Sequence, residues 1–279
     1  MENKEIAELR ELKARLLEKA IHLRDQLKDR EENGRSEPID LDTFSTPPPD
    51  DRDEGSSKSL STRYKAKLCE ITGQMTGITF KDVDRKWLRD DTYTYTAKMI
   101  TKTISLNVEL IVTLKGDDFK IEDIMCHFIN VPDCYMLEVS PWFQKITIAK
   151  NFSLLMSALS DYNENSLLRA KILRNFESNG YFSVEHCTQD TGGMFVYVHS
   201  PVNTEKNYAI FQWTMKFLDL TWRIEHFFTV KSTDIGVEFS EKNRSLLKEF
   251  CKIGLTKNLL VELWERLRDA IDAYTEETI

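Results

Sequence analysis

Long apolar runs are missing from this 279-residue chain. None approaches the roughly 20 apolar residues that a membrane-spanning helix needs, and the densely charged N-terminus has no apolar signal core, which argues against secretion. Cysteine is sparse and odd in number: Cys69, Cys126, Cys134, Cys187 and Cys251. No CxxC pair is there to found a zinc site, and scattered thiols fit a reducing compartment, cytosol or nucleus, better than a disulfide framework. Glycine-rich phosphate loops and the GxSxG turn are also lacking; Gly192-Gly193 is not followed by a helix that would cradle an anion. Nor is basic charge clustered. The densest run, Lys81 to Arg89, holds four cations but is broken by Asp82 and Asp84, which disfavours direct nucleic-acid binding.

What is present suffices for packed cores. The chain is 41% hydrophobic and 10% aromatic, and its length accommodates one large domain or two of about 100 residues. The net charge of −8 is unevenly spread. Residues 1–34 are nearly balanced, with eight basic against nine acidic residues, whereas residues 35–60 carry three against seven. The acidity is therefore concentrated in a segment containing Pro47-Pro48-Pro49, Asp50-Asp51 and Gly55-Ser56-Ser57, the composition of a linker.

Ahead of that linker, residues 3–33 have no proline or glycine. Ile6, Leu9, Leu12, Leu16, Ala20, Leu23 and Leu27 step by three or four, an apolar stripe too narrow to bury alone and suited to a coiled-coil seam. Lys19 and Gln26 fall at would-be core positions of a strict heptad, so pairing with a different chain is expected over self-pairing. Leu9, Leu12, Leu16, Leu23 and Leu27 are the candidate contacts. In the linker, Ser45-Thr46-Pro47 offers Thr46 to a proline-directed kinase. The preceding serine matches the pattern read by polo-box domains, so a polo-box kinase is a candidate partner.

Two units follow, expected at 61–163 and 164–279. In the first, a helical stretch around Arg63 to Ile71 closes at Gly73 and Gly77. Tyr93 and Tyr95 alternate with threonines. Leu106, Val108, Leu110, Val112 and Leu114 alternate with polar residues, Lys115-Gly116-Asp117-Asp118 is a hairpin turn, and a strand follows through Ile129. Hairpin-joined strands predict an antiparallel sheet. Pro132 and Pro141 bound an irregular stretch; Phe152, Leu155, Leu159 and Tyr162 then mark a helix face. The polar Asn163-Glu164-Asn165-Ser166 is placed as the boundary, with Leu168, Ile172 and Phe176 on a new helix or a continuation of the old one. In the second unit, strand faces carry Phe182, Val184 and His186, then Met194 to His199, then Phe211, Trp213, Met215 and Phe217, then Trp222, Ile224, His226, Phe228 and Val230. A closing helix carries Leu255, Leu259, Leu263, Trp264, Leu267 and Ile271. Its apolar face is wide enough that Leu263 and Trp264 are read as candidate partner contacts. The fold class is α+β: a coiled-coil helix, then tandem antiparallel sheets packed with helices.

Little in this pattern points to chemistry. Cys126-His127 and His186-Cys187 lie in strand-patterned segments, where neighbours point to opposite faces and cannot share one metal. His127, Asn130, Pro132 and Cys134 contain the residue types found near the cysteine of ubiquitin-conjugating enzymes, but out of order, and an oxyanion donor must be aimed. The aromatic rows at Phe211–Phe217 and Trp222–Phe228 lack the adjacent basic residues of an RNA-stacking sheet and read as core. No catalytic, cofactor or metal residue is expected.

Three short segments carry a resemblance: Met75-Thr76-Gly77-Ile78 after the first helix; Tyr208-Ala209-Ile210-Phe211-Gln212-Trp213 leading to Leu218-Asp219-Leu220; and Ile253-Gly254-Leu255 with Leu259-Leu260-Val261-Glu262-Leu263. With the layout, they resemble the RWD-domain kinetochore proteins, and within them the centromere protein P family, over about residues 3–275. Pro132, Tyr135 and Pro141 match the general RWD proline-tyrosine loop only loosely. The resemblance implies a non-enzymatic nuclear subunit of the inner kinetochore, supporting chromosome segregation at the centromere. Its implied partners are a centromere protein O-like subunit, as heterodimer, and centromere protein Q- and U-like subunits. The rival reading is an RWD-type adaptor, or an inactive ubiquitin-conjugating-enzyme-like module in ubiquitin transfer.

Overall fold

Helix α1 spans Thr62–Thr76 in the computed structural model, which describes residues 62–116, 118–189 and 191–278. The expected coiled-coil helix at 1–34 and linker at 35–60, with Leu9, Leu12, Leu16, Leu23, Leu27 and Thr46, lie outside the described residues. Contrary to expectation, α1 runs through Gly73 and stops at Gly77. Gly77 has a φ of 68° and donates its N–H to the Gly73 carbonyl at 2.9 Å, a turn that suits a residue without Cβ.

Four antiparallel strands follow in sequential order: β1 (Thr79–Arg89), β2 (Thr92–Ile100), β3 (Ser105–Lys115) and β4 (Asp118–Phe128). The alternation at β2 and β3 sets their register. Tyr93, Tyr95, Ala97 and Met99 lie opposite Val112, Leu110, Val108 and Leu106, so one face collects the apolar residues and the other the threonines. Strand β1 was not expected at all. It is the edge strand, with register shifts between Lys81 and Asp84 and between Trp87 and Arg89. Charge and bulges of this kind blunt an edge against unwanted pairing.

Helix α2 (Asp133–Ile148) replaces the irregular stretch expected between Pro132 and Pro141. Pro132 is its N-cap, where a missing N–H costs nothing. Pro141 lies inside the helix, where it leaves one carbonyl of the preceding turn without its helical donor.

Helix α3 (Phe152–Ser178) runs unbroken for 27 residues, starting where the Asn151 side chain accepts the Leu154 N–H at 3.0 Å. The boundary expected at Asn163–Ser166 thus falls inside a helix, with no linker. The second sheet repeats the first: β5 (Phe182–His186), β6 (Met194–Ser200), β7 (Asn203–Leu218) and β8 (Arg223–Ser232), in sequential antiparallel order. Trp222, expected on β8, precedes it. Helices α4 (Val237–Lys242), α5 (Arg244–Phe250) and α6 (Lys257–Thr278) close the chain. The result is an α+β fold with two antiparallel four-stranded sheets and six helices among the described residues, and Leu60–Ile279 form one compact unit.

Two apolar cores hold it. One packs Met99, Leu106 and Val108 of the first sheet under Val139, Phe143, Leu155 and Leu159 of α2 and α3. The other gathers Phe211 and Trp213 of β7 with Phe250 and the α6 residues Leu260, Leu263, Trp264, Leu267 and Ile271. Each large side chain enclosed in this way contributes about 1.5–3 kcal/mol. Trp264 is the hub, with ring centroids of Phe182, Phe211, Trp213, Phe228 and Phe250 at 4.9–6.0 Å.

Candidate functional site

Where α2, α3 and β7 meet, a charged pair is enclosed in the fold. Arg169 and Glu138 have side chains 1% and 0% exposed. The guanidinium donates from Nη1 to Glu138 Oε1 at 2.7 Å and from Nη2 to Oε2 at 2.9 Å. Tyr162 donates its hydroxyl to Oε2 at 2.6 Å, and the Met215 N–H donates to Oε1 at 2.9 Å. Nη1 also reaches the Trp213 carbonyl at 3.3 Å, and the Tyr135 ring lies beneath the guanidinium, its centroid 5.7 Å away. Burial by itself would lower the Arg169 pKa, but the Glu138 carboxylate outweighs it and holds the value above normal. Burial, then Glu138, pushes the Tyr162 phenol well above its usual range. Buried charge is tolerable only when so fully paired.

A polar strip on α3 extends the junction. Ser160 donates to the Thr76 carbonyl at 2.6 Å, which satisfies the end of α1. Asn163 Oδ1 accepts the Lys102 N–H at 3.1 Å in the β2–β3 turn. Asp161 accepts the Ile224 N–H at 2.6 Å, and Asn165 donates to the Ile224 carbonyl at 2.9 Å. These residues stand mid-helix because they satisfy backbone groups at the open rims of both sheets. Gly193 fits the same seam: its N–H donates to the Cys134 carbonyl at 3.2 Å, and a Cβ there would strike the Trp213 carbonyl.

Signals for this junction existed. Tyr162, Arg169 and Phe176 are seven apart on one buried stripe, so a cation on an apolar face was visible, as was Glu138 four residues from both Cys134 and Trp142. Neither was singled out.

The expected contact residues of α6 need correction. Leu263 and Trp264 are wholly enclosed by this chain and offer no surface to a partner. The wide apolar face is accounted for by the second sheet on one side and by α3 and α5 on the others. Pro132, Tyr135 and Pro141 lie at the start of α2 and within it.

Burial keeps two thiols and one imidazole quiet. Burial pushes the Cys134 thiol up and the Cys126 thiol up to about 12, which disfavours the reactive thiolate. His226 Nδ1 accepts the Trp213 indole N–H at 3.1 Å. Burial, with Arg169 and Lys257 nearby, lowers its pKa to about 3. His127 and His186 are exposed, and no three metal-ligating groups gather among the described residues. Among those residues, too, no helix is long and apolar enough to cross a membrane.

Among the described residues, large exposed aromatic side chains occur in two places. On the first sheet, Trp87 and Phe119 are 67% and 62% exposed, with Arg85 stacked 3.9 Å over the Tyr93 ring. On the second, the β7–β8 turn holds out Leu220 and Trp222 beside a cleft of about 390 Å³ that includes Pro141, Trp142 and Phe217 in its walls. Compared with known proteins, the chain matches no family model and no curated protein.

Proposed function

We propose that this chain is a non-enzymatic structural subunit of the inner kinetochore, built from tandem RWD-like units and pairing with a centromere protein O-like subunit. The observation that carries this reading is the repetition of one plan, helix then four-strand meander then helix, along a single chain. Of the segments resembling the centromere protein P family, two sit at joints and one inside a core strand. Met75–Ile78 turns α1 into β1, Tyr208–Trp213 is the buried middle of β7, and Ile253–Leu255 leads into α6. The polar groups with the most unusual surroundings, Glu138 and Arg169, are engaged by each other, by Tyr162 and by the backbone. Such a site holds elements together rather than turning over a substrate.

The rival reading, a module of ubiquitin transfer, gains little. Its thiol would be Cys134, which is 1% exposed and has a raised pKa. Purification of the tagged full chain from mitotic cells tests the proposal. Recovery of centromere protein O-, Q- and U-like subunits and nuclear foci at centromeres are expected. Diffuse localisation without those subunits, or a ubiquitin thioester on Cys134 in a charging assay, would overturn it.

A further inference from the structure

The apolar face of the first sheet is roofed over only part of its length. Register aligns its side chains in rows across the strands, and Trp87, Tyr93, Val112 and Ile121 form one such row. Arg85 and Tyr95 belong to the row before it, Leu114 and Phe119 to the row after. Nearer the helices, Met99, Leu106 and Val108 are shut under α2 and α3. Trp87, Tyr93, Tyr95 and Phe119 lie outside that core; the tyrosines are half-buried and the other two mostly exposed. Val112 is closed only because it is the small residue in a row of large ones. These three rows cover about 13 Å along the strands and about 14 Å across them. A helix is about 10 Å wide, so the area has room for one more beside those already on this face. A sheet's apolar face is ordinarily buried against a layer of other elements, and here that layer stops short.

Two side chains on the open rows are held in place although they face solvent. The Trp87 indole N–H donates to the Asp90 carbonyl at 2.8 Å. The Arg85 guanidinium stacks on Tyr93, 3.9 Å from its ring centroid, with the Tyr95 centroid at 5.6 Å. In its own row and the Trp87 row, Arg85 is the only charged side chain. Its neighbour Asp84 takes the Arg85 main-chain N–H at 2.8 Å, but belongs to the other face of the sheet, beside Lys86. Asp91 stands at the far margin, two rows away, where its carbonyl accepts the Leu114 N–H at 2.8 Å. Among the described residues no carboxylate pairs with the Arg85 guanidinium. Stacked by its flat face, it leaves its N–H edge to be answered.

We propose that these rows seat an amphipathic helix of a partner protein, which completes the helical layer over the first sheet. Aliphatic side chains of that helix cover Trp87, Tyr93 and Phe119, and one Asp or Glu on the same stripe pairs with Arg85. The aromatic rows supply affinity and the lone cation supplies selectivity, since a carboxylate buried elsewhere on the stripe would be left without a partner. Because Trp87 and Arg85 are already fixed, little ordering is lost when the helix docks. The inference rests on the assembly reading only in that the chain works by holding partners.

The test presents the full chain to a phage library of helix-forming peptides of about five turns, randomised on one face, and resynthesises the enriched sequences. Enrichment of an aliphatic stripe carrying one Asp or Glu is expected, with a gain of helical circular dichroism on binding. Trp87→Ser/Phe119→Ser, which alters only exposed side chains, should lower affinity by about tenfold or more. Arg85→Glu should do the same, and replacing the acidic residue of the peptide by Lys should restore binding to that variant alone. No enriched peptide, no acidic preference, equal binding by the double-serine variant or a charge exchange that restores nothing overturns the proposal. A clearly lower melting temperature in the double-serine variant shows the face already covered and also overturns it. So does a concentration-dependent dimer lost in that variant, which gives the face to a second copy. Selective peptide binding without kinetochore co-purification supports this inference and sinks the functional reading. Normal co-purification with no peptide bound sinks this inference alone.

Discussion

The two sheets share strand count, order and polarity, yet they are not equally enclosed. In β1 only Phe80 of eleven residues is even half-buried, whereas β7 buries Tyr208, Ala209, Phe211, Trp213, Thr214 and Met215. The cause lies outside the sheets. The second has α4, α5 and α6 packed after it as well as α3, whereas the first has α2 and α3 at one end, and Trp87 and Phe119 stay open at the other. Strand topology therefore does not set how fully a sheet is enclosed; the helices that follow do. The second half reads as an anchor, the first as a platform with an apolar face to spare.

The comparison breaks first at the junction that both halves share. Glu138→Ala leaves Arg169 buried without its counter-ion and should cost about 4–5 kcal/mol in urea unfolding. Glu138→Leu with Arg169→Met should recover most of it; a loss under about 1 kcal/mol in the single variant would show that the halves stand independently. Next, Trp264→Ala opens a cavity in the anchor and should cost about 3–4 kcal/mol. Because the ring is enclosed, partner affinity measured well below the melting temperature should not change.

A smaller effect is tied to pH. The His226 pKa is about 3 when folded and near 6.5 when unfolded, so below about 6.5 the unfolded chain binds the extra proton. Stability attributable to His226 is then full above the unfolded value and is lost as pH falls toward 3, at up to about 1.4 kcal/mol per pH unit. The slope of unfolding free energy between pH 6 and 4 should flatten in His226→Leu; an unchanged slope would remove His226 as the cause. The smallest effect belongs to the platform. Trp87→Ser and Phe119→Ser should each shift stability by no more than about 0.5 kcal/mol, and a loss above about 1 kcal/mol would mean that face is already covered.

Strands with one wet face were plain in the sequence. Leu106–Leu114 and Phe211–Phe217 alternate as their sheets require. Edge strand β1 was not, because a strand with little to bury shows no alternation, and its Lys, Arg and Asp read as a charge run. Helix α2 was hidden by Pro132 and Pro141, although one caps the helix and the other is absorbed within it. Asn163-Glu164-Asn165-Ser166 looked like a boundary because those residue types favour caps and turns. Their partners, Lys102 and Ile224, are about sixty residues away, beyond the reach of any local window. The junction was half legible: charges on apolar stripes could be seen, but not that they would find each other.

Helix α3, about 40 Å long at 1.5 Å per residue, carries an implication for how the chain is made. Residues 61–163 leave the ribosome as a sequence that looks self-sufficient. Yet Asp161 must wait for Ile224, and Glu138 for Arg169 and Met215, before their hydrogen bonds can form. The first half is thus expected not to complete these bonds on emergence, as domains synthesised in series usually do. A carboxylate and a sheet rim stay unanswered until the second half has been translated.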